Sequence, residues 1–173
     1  RVLFRSDVFG RTAVQNCRVE FAIGNGSYIS PKGQIAATAE NAEKIRNRMR
    51  ELAEAKTPFL KRSYSLDNAM ELFHREGMKD KEKLFRYRRG SFVNIYEMDG
   101  YYDYYYGYML PNAGYVKWFD VIAYDEGFML LLPDKKEPTL VKPFVEQKKL
   151  FQTLKESEEW GRKIGIETVG DLN

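Results

Sequence analysis

One histidine and one cysteine are all that this chain of 173 residues offers of the two side chains most used to bind transition metals. Cys17 has no partner for an internal disulfide, and no second Cys or His stands at ligand spacing, so a zinc site is not expected. His74 lies beside Phe73 in ELFHREG, a stretch of ordinary surface-helix composition, and reads as a solvent-facing or partly packed imidazole. No excess of one charge exists either: 28 basic against 25 acidic residues leave +3, too little for the basic face of a typical nucleic-acid binder. No apolar run approaches the ~20 residues of a membrane span, and Arg5 and Asp7 interrupt the opening stretch where a signal-peptide core would lie. These absences predict a cytoplasmic chain with no membrane partner. There is no G-x-x-x-x-G-K-[ST] phosphate loop, and Gly24-Asn25-Gly26 lacks the following helix of a dinucleotide site. Internal repeats and low-complexity tracts are missing as well.

What is present is a 43% hydrophobic, 14% aromatic chain, sufficient for one core without staples and rich in the large side chains that suit sheet faces. The expected fold class is α+β, an antiparallel sheet with helices packed on it. Arg18 to Ser30 alternates around Gly24-Asn25-Gly26 and predicts a hairpin. Ala42, Ile45, Met49 and Leu52 recur at helical spacing behind Thr38, a plausible N-cap, with Pro58 beyond the end. FLKRSY reads as a strand, after which Ser65 can cap a helix facing inward through Leu66, Ala69, Met70 and Phe73 and stopped by Gly77. Asp80 can cap a further short helix, DKEKLFRYR. SFVNIYEM and YYDYYYGY then flank Asp99-Gly100 as a hairpin. A turn at Leu110 to Gly114 leads to strands over Tyr115 to Tyr124 and FMLLLP, separated by Asp125-Glu126-Gly127. PDKKEPTLVKP is an extended connector to a helix, FVEQKKLFQTLKESEEWGRKIG, expected to bury Leu150, Phe151, Leu154 and Trp160. ETVGDLN reads as a helix cut short, as in a piece excised from a longer protein.

The lysines 79, 81 and 83 and the arginines 86, 88 and 89 form local clusters, but Asp80 and Glu82 interleave the first, which predicts a solvated helix face. Asp99, Asp103, Asp120 and Asp125 stand near turns, and hairpin chemistry accounts for Asp99 and Asp125. The most unusual stretch is DYYYGYMLPNAGYVKWFD, five tyrosines in eighteen residues around a Gly-Tyr-Met-Leu-Pro-Asn-Ala-Gly center. It fits either an aromatic packing surface broken by a turn or a pocket wall with a shaped loop.

VNIYEMDGYYDYYYGYMLPNAGYVKWFDVIAYDEGFML resembles the second additional, or editing, domain of threonyl-tRNA synthetases, whose pattern is roughly V-x-I-Y-x-x-G-x-x-D-L-C-x-G-P-H-V-P-N-T-G. Asp103, Gly107, Pro111, Asn112 and Gly114 fall in register. IGNGSYIS is similar to the family's glycine-tyrosine hairpin, and KRSYSLDNAMELFHREGMKDKEKL to its S-x-x-E-A-x-x-L-F helix followed by K-x-E-L. Within that likeness, the whole chain most resembles the synthetase-like region preceding the kinase domain of bacterial uridine kinases of the phosphoribulokinase/uridine kinase family. PTLVKPFVEQKKLFQTLKESEEWGRKIGIETVGDLN is similar to the segment leading to their phosphate-loop domain.

The resemblance implies an editing-domain-like unit over residues 1–143, with 144–173 forming a helix and the start of a linker. It also implies a kinase domain of the same protein as partner, and ATP and Mg as cofactors of that absent domain alone. Tyr105 stands at the family's cysteine position and Met109 at its histidine position, while RVLFRSDVFG has neither of the histidines carried by the corresponding helix. No catalytic residue and no metal ligand is therefore carried over. Asp103, Tyr105, Tyr108, Met109 and Asn112 are expected to line a pocket loop that recognises a nucleoside or tRNA-like ligand by stacking and tyrosine hydroxyls. An aminoacyl-tRNA deacylase relying on Asp103 and tyrosine hydroxyls, and a structural domain whose pocket is filled, are the alternatives.

Overall fold

The computed structural model describes residues 17–31 and 35–166. The opening RVLFRSDVFG and the closing ETVGDLN lie outside them. In chain order come β1 (Cys17–Ile23), β2 (Gly26–Pro31), α1 (Ala39–Glu54), β3 (Leu60–Ser65), α2 (Leu66–Arg75), α3 (Lys79–Arg86) and β4 (Phe92–Met98). β5 (Tyr101–Tyr104), a 3-10 turn at Ala113–Tyr115, β6 (Asp120–Tyr124), β7 (Gly127–Leu131) and α4 (Lys148–Lys163) complete the order. The fold is α+β with antiparallel pairing throughout, as expected, but there are two sheets rather than one: β1-β2-β7-β6 and β3-β4-β5. Alternation was readable over β1 and β2 and in β4, whereas β7 is buried along its whole length. That β2 pairs with the distant β7 was not readable, because pairing across long separations leaves no local signal.

The chain forms two compact units, one of residues 1–57 and 112–154, the other of 58–111 and 155–173. In the first, Gly24 at φ +57 makes the hairpin turn, and Asp125 at φ +52 makes the turn between β6 and β7. The Thr38 hydroxyl accepts from the Asn41 N–H at 3.2 Å to cap α1, whose buried face is Ala42, Ile45, Met49 and Leu52, the stripe its spacing predicted. Arg46 on the same helix pairs with Asp120 of β6 at 2.9 Å. The sheet's core cluster is Ile23, Tyr28, Met129, Leu131 and Phe151. Phe151 stands edge-on to Tyr28, Tyr124 and Phe21, with ring centroids 5.0, 4.9 and 5.5 Å away. Phe144, also C-terminal to residue 143, packs against this cluster.

Three expected elements change. α4 begins at Lys148, not at the proline-flanked Phe144, and buries only Phe151 fully; Leu150 and Trp160 are exposed. The strand expected from Tyr115 is confined to Asp120–Tyr124, because the Asn112 side chain accepts from Gly114 N–H at 3.0 Å and winds the preceding residues into the 3-10 turn.

In the second unit the Ser65 hydroxyl caps α2 by accepting from Asn68 N–H at 3.3 Å, and Gly77 at φ +69 follows the helix end. The third change is in α3. It starts at Lys79 behind Met78, which offers no side-chain cap. Burial of Met78 and its N–H bond to the Phe73 carbonyl at 2.8 Å fix that start, leaving Asp80 in the first turn, where its charge meets the helix's positive end. Ala69, Leu72, Phe73, Met78, Phe85, Val93 and Ile95 form this unit's core. Asp99 (φ +52) and Gly100 (φ +76) turn β4 into β5, as Asp-Gly foretold.

A Cβ added at Gly127 would lie 2.4 Å from the Ile29 carbonyl oxygen and 2.9 Å from the Tyr28 hydroxyl, the first a backbone atom of the paired sheet. Gly127→Ala is expected to destabilise the first unit by about 1–3 kcal/mol, as overpacking does. An unchanged urea midpoint for the variant would refute this close approach.

Candidate functional site

Asp103 faces inward from β5, opposite Tyr96 of β4, and is only 2% exposed. A buried carboxylate needs donors, since desolvation opposes its charge. The backbone N–H of Tyr104 donates to Oδ1 at 2.7 Å, the Tyr105 hydroxyl donates to Oδ2 at 3.2 Å, and Lys81 Nζ lies 3.4 Å from Oδ1. Lys81 corrects the reading of its cluster as a solvated face. Lys79 and Lys83 are exposed as expected, but the Lys81 side chain is 12% exposed. Its position was encoded in the sequence. Met78, Lys81 and Phe85 recur at i, i+3 and i+7, and the two apolar members are core residues. The charge interleaving hid that stripe.

The Tyr96 hydroxyl organises the loop that follows β5. It donates to the Gly107 carbonyl at 3.2 Å and accepts from the Met109 N–H at 3.3 Å, while its ring packs edge-on to Tyr105 at 6.3 Å. The Pro111 carbonyl accepts from Phe59 N–H at 3.0 Å, fixing the loop's far end. These ties are why the return strand stops at Tyr104 instead of running to Tyr108. Between them the loop turns two rings outward: Tyr106 is 94% and Tyr108 93% exposed. Lys61 of β3 lies 4.6 Å from the Tyr108 ring centroid, and Arg88 lies over the Tyr104 ring and donates to its hydroxyl.

The five expected pocket-loop residues are thus distributed among different tasks. Asp103 and Tyr105 are brought together by a hydrogen bond, and Tyr105 and Met109 share Tyr96. Tyr108 points to solvent, and Asn112 belongs to the first unit, where it holds the 3-10 turn. Asp103 is a buried strut whose oxygens are engaged by an amide, a hydroxyl and an ammonium.

His74 is exposed and 3.2 Å from Glu82. Hydrogen bonds from Arg86, foremost, and from His74 hold the Glu82 carboxyl below the usual glutamate range. Among the described residues no three His, Cys, Asp or Glu side chains converge in a way that could hold a metal, and no helix is long and apolar enough to cross a membrane.

No family model matches the chain. It is 28% identical over 150 residues to the threonine–tRNA ligase of Nitratidesulfovibrio vulgaris, in strain DP4 and in strain Hildenborough, an alignment covering 82% of this chain and 22% of the ligase. The chain therefore spans about a fifth of the length of the curated relatives it matches. Over most of its residues the chain is similar to part of a threonine–tRNA ligase, and its α+β architecture is compatible with an editing-domain-like fold.

Removing the ammonium alone would leave Asp103 without one of its charge partners. Lys81→Met is expected to destabilise the second unit by about 3–5 kcal/mol, and Lys81→Met combined with Asp103→Leu to recover a large part of that loss. Urea unfolding of the two single variants and the double variant measures the coupling. Additive losses would show that the pair is not an energetic unit.

Proposed function

We propose that the chain is a non-catalytic recognition module on a synthetase-editing-like scaffold, taking a nucleoside or the unpaired nucleotides of a tRNA-like ligand on the Tyr106–Tyr108 loop. The observation that carries this reading is the pair of solvent-facing tyrosine rings on a backbone tied down by Tyr96, with the Lys61 ammonium beside one of them. Exposed rings on a fixed loop lose little freedom when a base stacks on them, and a nearby cation suits a phosphate chain. Similarity to a threonine–tRNA ligase supports a ligand of nucleic-acid type. Tyr105, with its hydroxyl on Asp103 and its ring on Tyr96, serves this site by positioning the loop.

The parent protein in this reading is of uridine kinase type, with a kinase domain as partner and with ATP and Mg used only there, phosphorylating a nucleoside in the cytoplasm. Its support is the resemblance of the PTLVKPFV segment to the lead-in of such domains. A G-x-x-x-x-G-K-[ST] encoded downstream of Asn173 is the expected finding, and its absence would remove the kinase parent. Deacylation of aminoacyl-tRNA is the second reading. Asp103 is its candidate base, and the lone pairs that role requires are engaged by Lys81, Tyr104 and Tyr105.

Tyr108→Ala is expected to weaken binding of a short single-stranded RNA ending in CCA by ~1–3 kcal/mol, the size of one lost stacking contact. The unfolding midpoint should stay unchanged, because the ring is 93% exposed. Equal affinity in the variant and the parent chain would end the stacking proposal. With seryl-tRNA the chain should show no hydrolysis above background, and a rate abolished by Asp103→Ala would favour the deacylase.

A further inference from the structure

The first unit contains a cleft of about 430 Å³ between the end of α1 and the segment after the Asn112 turn, within the size range of small-ligand sites. Three cations line it, Arg50, Lys56 and Lys117, against one carboxylate, Glu54, with buried Phe119 in the wall. Among the described residues none of the three cations has an ion pair or hydrogen-bonded side-chain partner. The cleft's frame is locked: Thr57 N–H donates to the Leu52 carbonyl at 3.1 Å and Ala113 N–H to the Thr57 carbonyl at 2.8 Å. Gly114 lets the two sides approach, since a Cβ there would come within 2.9 Å of the Lys56 stem.

Two details distinguish this arrangement from basic residues that merely accompany a helix's negative end. Lys56 sits at φ +50, where glycine or asparagine is favoured and a long side chain is not. Lys117 is not on the helix at all, so the helix dipole gives no reason for its place. We propose that this cleft binds a phosphate or pyrophosphate group, held by the Arg50 guanidinium and the Lys56 and Lys117 ammonium groups. The helix end presents carbonyls, so side-chain charge supplies the attraction, and Phe119 excludes water from one side of the bound group. The site is separate from the tyrosine loop and does not depend on it.

Calorimetric titration of the full chain with inorganic pyrophosphate tests the proposal, because a probe without a ring cannot report on stacking. Saturable one-to-one binding that weakens as sodium chloride rises is expected. Lys117→Gln should weaken it roughly tenfold, the size of one charge-assisted contact. Lys56→Gly should weaken binding similarly while leaving the unfolding midpoint equal or higher, since glycine relieves the left-handed backbone. No saturable binding, or affinity unchanged in both variants, would overturn the site.

Discussion

A carboxylate that is 2% exposed sets the terms for the second unit. Asp103 is stable there only while donors surround it, and among them are its own strand's next amide, a hydroxyl at the start of the loop and an ammonium on helix α3. Satisfying one buried charge therefore fixes the end of β5, the inward turn of Tyr105 and the rotation of α3 about its axis. The aromatic contacts of this region fit around that arrangement, with Phe85 of α3 edge-on to Tyr104 at 5.0 Å. Hydrophobic burial holds α3 down; the ion pair selects which face it presents.

The same arrangement explains why so aromatic a segment has glycine and proline at its middle. Its tyrosines have different environments: Tyr104 packs on the core, Tyr105 reaches the carboxylate, and Tyr106 and Tyr108 are exposed. Neither the packing surface nor the pocket wall describes all of them. A continued strand would put Tyr104 and Tyr106 on one face, but β5 stops at Tyr104, and the Tyr96 hydroxyl holds the bend that follows by serving the Gly107 carbonyl and the Met109 amide together.

Local chemistry made much of the fold legible. Thr38 and Ser65 as caps, Asp99-Gly100 as a turn and the apolar stripe of α1 each act within a few residues, so their patterns are complete in the sequence. Partners at long range left weaker traces. The pairing of β2 with β7 follows from which surfaces bury each other. Trp160, expected inward, is 64% exposed, because nine residues at 3.6 per turn put it on the side of α4 opposite the buried Phe151. Asp103, expected on a pocket loop, is instead a buried strut, because its carboxylate is taken up by Lys81, Tyr104 and Tyr105. Lys81 was obscured because a lysine in a charged run looks solvated unless its apolar neighbours at helical spacing are weighed with it, and Asn112 proved to serve the turn of the other unit.

The chain leaves the first unit after Thr57 and re-enters it at Asn112. Each crossing point is closed on its own side: Phe59 bonds to Pro111 within the excursion, and Thr57 to Ala113 within the unit it interrupts. An excursion whose two ends are already hydrogen-bonded neighbours has the geometry of an inserted module, because its removal leaves a gap that a very short splice can bridge. The host sheet also bears little of the entropy of closing that long loop, since the inserted segment's own core draws its ends together. The tyrosine loop lies inside that inner segment, and the basic cleft belongs to the unit it interrupts, so the two can be separated by a cut at these two crossings.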